Sequence, residues 1–109
     1  MSKKEENVKL QIGKQVYEGK YSPYTKHIYF DEFARDLNID VYQSMVKYNG
    51  IVGRVVCERI AFCMIKTLNP KYHIDFPSWI EQLDDSLKEN TDWMNVITTE
   101  VIDRIIKED

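Results

Sequence analysis

Residues 54–68, "RVVCERIAFCMIKTL", constrain the fold more than any other stretch of the chain. From Arg54 to Lys66 the polar side chains are Arg54, Glu58, Arg59 and Lys66. At about 100° per residue those four fall within a sector of roughly 140°, and the remaining helical surface is apolar. A helix of this kind has to be covered on most sides. It is therefore expected at the centre of the fold, and Asn69-Pro70 ends it because the residue before a proline avoids the helical region.

The flanking sequence supplies what would cover it. Val8, Leu10 and Ile12 alternate with Lys9 and Gln11, the period of a half-buried strand. Gly13 interrupts the run, "KQVYEGKY" continues it, and Gly19 with Ser22-Pro23 offers turn chemistry. "YTKHIYF", rich in aromatic and β-branched residues, then suggests a further strand. Helical spacing begins with Phe30, Phe33, Ala34 and Leu37, and a turn is expected at Asn38-Ile39-Asp40, because Asn tolerates the left-handed backbone. Val41, Met45 and Tyr48 mark a second short helix that Asn49-Gly50 closes.

Beyond the central helix, Ser78 and Glu81 have capping-box spacing, with Asp75 as the competing cap and Pro77 near the start. Trp79, Ile80, Leu83 and Leu87 form that helix's apolar stripe. Thr91 or Asp92 caps the last helix, whose face is Trp93, Val96, Ile97, Val101 and Ile105. Ile102 and Ile106 broaden the face, which serves either as core or as a homodimer surface through residues 93–106.

The expected fold class is α+β, mainly α: a short N-terminal antiparallel β-ribbon and about five helices around the central apolar helix (residues 54–68). With 43% hydrophobic residues in 109, the chain can form one domain without disulfide staples. Residues 1–6 are expected to be disordered, 7–30 to form the ribbon and 30–109 to be helical. No apolar run approaches the roughly 18 residues a membrane span needs. "MSKKEEN" leads into no hydrophobic signal region, so the expected location is cytoplasmic.

Several kinds of chemistry find no support in the residues. Cys57 and Cys63 would point about 120° apart on one helix with a rise of roughly 9 Å, too far for a disulfide, so both are expected as reduced core side chains. His27 and His73 have no partner at metal-ligand spacing. Gly50 and Gly53 in "NGIVGR" lack the Lys-Ser/Thr ending of a phosphate loop, and no serine sits in a nucleophile elbow. Asp84, Asp85, Glu89 and Asp92 fall on the solvent side of their helices, where nothing shifts a carboxyl towards catalysis. Neither an enzyme nor a cofactor is expected.

Charge is distributed unevenly. Residues 1–72 carry 12 Lys or Arg against 8 Asp or Glu, whereas residues 73–109 carry 3 against 10. A basic binding face beside an acidic one would produce this, and so would separately solvated helix faces.

"YFDEFARDLNIDVYQSMVKYNG", residues 29–50, adds a functional hint. Ala34 as a small residue, Asn38 at the turn and Leu37 and Ile39 beside it follow the pattern of a helix-turn-helix. Its second helix would offer Gln43, Ser44, Lys47 and Asn49 to base edges and Tyr42 to a phosphate, with Arg54, Arg59 and Lys66 adding backbone contacts. The phase is imperfect: the position such a motif buries falls at Ser44, between Val41 and Met45. An ordinary helical corner has the same pattern. The expected function is a small DNA-binding protein, a regulator or DNA-organising accessory, dimeric through its last helix. The alternative is a non-enzymatic protein-interaction module using the acidic C-terminal helices or the ribbon tyrosines Tyr17, Tyr21, Tyr24 and Tyr29.

Overall fold

A computed structural model describes the backbone of residues 7–89 and 91–108, and within it the side chains outside 84–89 and 106–108. Two strands, β1 (Val8–Ile12) and β2 (Gln15–Gly19), precede five helices: α1 (Pro23–Phe33), α2 (Leu37–Lys47), α3 (Arg54–Leu68), α4 (Phe76–Glu89) and α5 (Asp92–Glu108). The protein is α+β and mainly α. The disorder expected for residues 1–6 concerns residues outside those described.

The strands pair antiparallel from Val8 opposite Gly19 to Ile12 opposite Gln15. Gly13, at φ 64°, opens the two-residue hairpin turn, a position where an L side chain would be strained. Leu10 and Ile12 are fully buried while Lys9 and Gln11 face solvent, so the alternation in β1 does decide its inner face. Gly19 is more than a turn residue. A Cβ there would lie 3.0 Å from Met64 Cβ and 3.1 Å from its backbone carbon, so β2 lies directly on α3. The next residue fixes that approach, as the Lys20 N–H donates to the Met64 carbonyl at 3.0 Å.

The ribbon ends at Gly19, and "YTKHIYF" belongs to α1, not to a strand. Ser22-Pro23 starts this helix. The Ser22 hydroxyl accepts the Tyr24 N–H at 3.2 Å, Thr25 Oγ1 accepts the Ser22 N–H at 3.0 Å, and proline suits the first turn. Capping at one end thus outweighs the strand propensity of the aromatic run. Thr25, fully buried, also meets Thr67 Oγ1 at 2.8 Å and ties α1 to α3.

Helix α3 occupies the expected residues, and its Cys57, Ile60, Ala61, Phe62, Cys63, Met64 and Ile65 are buried. It packs against the ribbon and all four other helices. Cys57 and Cys63 are free thiols inside this core. An aromatic chain links the layers: Tyr29 to Phe33, Phe33 to Phe76, Phe76 to Phe62 and Phe62 to Trp79, with ring centroids 4.9–5.5 Å apart. Tyr17 meets Trp79 edge-on at 6.0 Å and so joins the ribbon to α4.

Asp75, not Ser78, caps α4: its Oδ1 accepts the Ser78 N–H at 2.8 Å, which holds its carboxyl below the usual range. Trp79 and Leu83 are buried and Ile80 half-buried, whereas Leu87 and the acidic Asp84, Asp85 and Glu89 lie outside the described side chains. In α5, Trp93, Ile97, Val101 and Ile105 are buried against the rest of the fold. Most of the face expected for a dimer is thus core. Val96 is exposed, Ile102 half-buried, and Ile106 lies outside the described side chains.

Candidate functional site

The corner formed by α1, α2 and the start of α3 brings together most of the polar residues singled out in the sequence. Its turn lies at Ala34-Arg35-Asp36, four residues before the Asn38 position expected. Ala34 closes α1 in the left-handed conformation (φ 54°, ψ 38°), and its N–H donates to the Phe30 carbonyl at 2.7 Å. Asp36 caps α2, its side chain accepting the Ile39 N–H at 3.0 Å. Asn38 therefore sits inside the first turn of α2. Ala34 is the turn itself, not a small residue under a crossing helix.

This shift rotates α2 relative to the expected pattern. Its buried side is Leu37, Asp40, Val41 and Ser44, while Met45 is half-buried and Tyr48 exposed. Asp40 is a helix residue with only 4% of its surface exposed. Arg35 Nε donates to its two carboxylate oxygens at 2.9 and 2.8 Å, the Tyr29 hydroxyl donates to Oδ2 at 2.7 Å, and Arg59 Nη1 lies 3.6 Å away. Burial alone would raise the Asp40 pKa, but the hydrogen bonds from Arg35 and Tyr29 outweigh it and hold the carboxyl below its ordinary value. Burial and the bond to Asp40 push the Tyr29 phenol well up. The carboxylate is fully engaged and ties α1, α2 and α3 together.

Ser44 is buried as well, its Oγ accepting the Gly53 N–H at 2.6 Å. It holds the α2–α3 connection and is not presented to a ligand as the sequence reading expected. The connection leaves α2 through Asn49 and Gly50, both at positive φ, so those residues do end the helix. Asn49 is exposed in that turn. Gly53 leads into α3 with no room for a side chain, since a Cβ would come within 2.6 Å of the Tyr48 ring and 3.0 Å of Ser44 Oγ.

A cleft of about 480 Å³ runs between α2 and the start of α3. Gln43, Ser44, Lys47 and Arg54 line it with Arg35 and Arg59, but Tyr42 and Asn49 do not. Three of its cations already have carboxylate partners: Arg35 and Arg59 share Asp40, and Arg54 lies 3.6 Å from Glu58. Arg59 also stands over the Phe33 ring, and Lys66 pairs with Glu32 at 3.2 Å. Gln43 and Lys47 are exposed, with the Lys47 ammonium 5.5 Å from the Tyr48 ring centroid.

Outside the cleft, α2 turns a different surface to solvent. Ile39 is 55% exposed, Tyr42 56% and Val46 82%. At i, i+3 and i+7 they share one stripe, with Gln43 and Lys47 along its cleft side. The stripe lies off the phase that Val41, Met45 and Tyr48 give the helix in the sequence. The spacing of 39, 42 and 46 was the available signal. Of the four tyrosines expected in the ribbon, only Tyr17 belongs to it, half-buried against Trp79; Tyr21 and Tyr29 are buried and cannot anchor a partner, and Tyr24 is exposed on α1 beside His27.

Among the described residues no helix is long and apolar enough to cross a membrane, and no three His, Cys, Asp or Glu residues are grouped to hold a metal ion. No family model, curated protein or solved structure matches the chain.

Proposed function

We propose that this protein is a non-enzymatic docking module that receives a helical segment of a partner protein on the outer face of α2. The observation that carries this reading is the exposed stripe of Ile39, Tyr42 and Val46 on a helix whose opposite face is already buried. Single exposed apolar side chains are ordinary, but three in line form a surface that gains by being covered. Covering the apolar surface that remains exposed on each is favourable, most of all at Val46. The exposed Lys47 beside the stripe favours a segment with an apolar face and an acidic edge.

A second reading, a small DNA-binding protein using the same helix-turn-helix-like corner, rests on the exposure of Gln43, Lys47 and Asn49. It is the weaker of the two. Ser44 is spent on Gly53, Arg35, Arg54 and Arg59 have carboxylate partners, and the outermost side chains of α2 are apolar. A DNA-reading helix relies on polar groups at base edges and on cations at phosphates.

A photoreactive phenylalanine in place of Tyr42, introduced in cells, separates the readings. Crosslinking to a protein, lost when Val46→Asp is added, is the expected result. Crosslinking to nucleic acid, with a salt-dependent shift of random duplex DNA that Lys47→Glu abolishes, would establish the second reading instead.

A further inference from the structure

We infer that the outer stripe of α2 is covered by the same stripe of a second copy, the two α2 helices lying antiparallel about a two-fold axis. This rests on the docking reading above and names the occupant of that surface. The stripe matches itself when reversed. Asp36, Gln43 and Lys47 are all exposed and, by helical projection, lie within about 40° of one another along one edge of it. Asp36 and Lys47 stand roughly 16 Å apart along the axis, and Tyr42 is within about 1 Å of the level midway between them. A two-fold axis across the helices at that level keeps like edge on like edge and reverses direction. Asp36 of each copy then stands level with the partner's Lys47, and Ile39 falls within about 3 Å of the level of the partner's Val46. The two Tyr42 rings meet near the axis. Gln43 meets its own counterpart, and an amide both donates and accepts.

Charge fixes the direction. Laid parallel, the two stripes would set carboxylate against carboxylate at Asp36 and ammonium against ammonium at Lys47; laid antiparallel, each faces its opposite. Asp36 Oδ1 caps α2 through the Ile39 N–H, but a carboxylate accepts several hydrogen bonds at once. Among the described residues neither Asp36 nor Lys47 has an ion-pair partner, whereas Arg35 is spent on Asp40 and Arg54 on Glu58. The opposite edge of the stripe, with Asn38 and Met45, carries no charge, so nothing repels there. One helix from each copy makes a small interface, and the pair is of the weak, reversible class. Being isologous, it stops at two copies.

Sedimentation of the whole protein from micromolar to millimolar concentration tests this. The mass is expected to rise with concentration and to level off at two copies. Val46→Asp, at an exposed position, is expected to abolish the rise. Lys47→Glu puts two repulsive pairs in place of two ion pairs and should weaken association roughly tenfold. Asp36→Asn keeps a capping oxygen but not the charge and should weaken it by a smaller factor. Direction is read with a mild oxidant, to which the buried native thiols do not contribute. Ile39→Cys chains mixed with Val46→Cys chains should form the crossed disulfide dimer faster than Val46→Cys chains link to each other. A wild-type protein monomeric at millimolar concentration would overturn the inference, as would growth beyond two copies or a dimer that Val46→Asp leaves intact. Faster linking of Val46→Cys to itself would overturn the antiparallel arrangement. Capture of a different protein at position 42 by a monomeric chain would reject self-pairing yet keep the docking reading, whereas no protein captured there rejects both.

Discussion

The Tyr29 hydroxyl donates a 2.7 Å hydrogen bond to Asp40 Oδ2, and both side chains are buried where α1 crosses to α2. The two groups titrate at opposite ends of the pH scale and are shifted in opposite directions. Asp40 is held below its ordinary value, so its contribution to stability is present above the unfolded pKa of about 4 and is lost as pH falls through the lower folded value. Tyr29 is raised, so its contribution is present below about 10 and is lost as pH rises above that. Glu58, raised by burial, has the sign opposite to Asp40 and partly offsets it in acid. Asp40→Asn is expected to lower stability by about 2 kcal/mol at neutral pH and to flatten the acid limb. Tyr29→Phe should flatten the alkaline limb. Urea unfolding at a series of pH values checks both.

Ala34 adopts the left-handed conformation without being glycine, which costs an L residue roughly 1–2 kcal/mol. Ala34→Gly relieves that cost and gives back part of it in chain entropy. The net expectation is a gain of about 0.5–1 kcal/mol, read as a higher urea midpoint with an unchanged slope.

Gly19 and Gly53 both lack space for a methyl group, but what confines them differs. At Gly19 the obstacle is Met64 backbone and Cβ in the middle of α3, which cannot yield without moving the ribbon. At Gly53 it is the Tyr48 ring and the Ser44 hydroxyl, of which the half-exposed ring can swing aside. Gly19→Ala is therefore expected to cost more, about 2–3 kcal/mol against about 1 for Gly53→Ala, in thermal or urea unfolding.

The thiols of Cys57 and Cys63 are buried, and burial pushes Cys57 up to about 12 and Cys63 higher still. Thiolate, the reactive form, is scarce for both at neutral pH. A disulfide reagent should leave the native protein unmodified and label both cysteines at the rate of global opening. Labelling of either much faster than unfolding would show that α3 is reached by local opening.

How far the fold can be read from sequence follows from where its information resides. The bounds of α3 were legible because a continuous apolar surface interrupted by Arg54, Glu58, Arg59 and Lys66 fits a single period. The inner face of β1 was legible for the same reason. Helix α1 departs from the strand expected there because Tyr24, Ile28 and Tyr29 favour strands, while the deciding signal is a reciprocal cap between Ser22 and Thr25. The turn after it was misplaced because Asn38 is the better left-handed residue, yet the chain uses Ala34. That four-residue error rotated α2 and hid both the burial of Asp40 and the outward stripe of Ile39, Tyr42 and Val46. The partners of Asp40 come from residues 29, 35 and 59, on three segments, and no local pattern announces such a convergence.

Leu10 and Ile12 find their cover on elements far along the chain, since β1 rests on α4 and α5. During synthesis at about 5–20 residues per second, roughly 4–18 seconds separate the appearance of Ile12 from that of Val101. For that interval Leu10 and Ile12 lack the α4 and α5 surfaces that cover them in the finished fold, and only α3 is there to receive the ribbon.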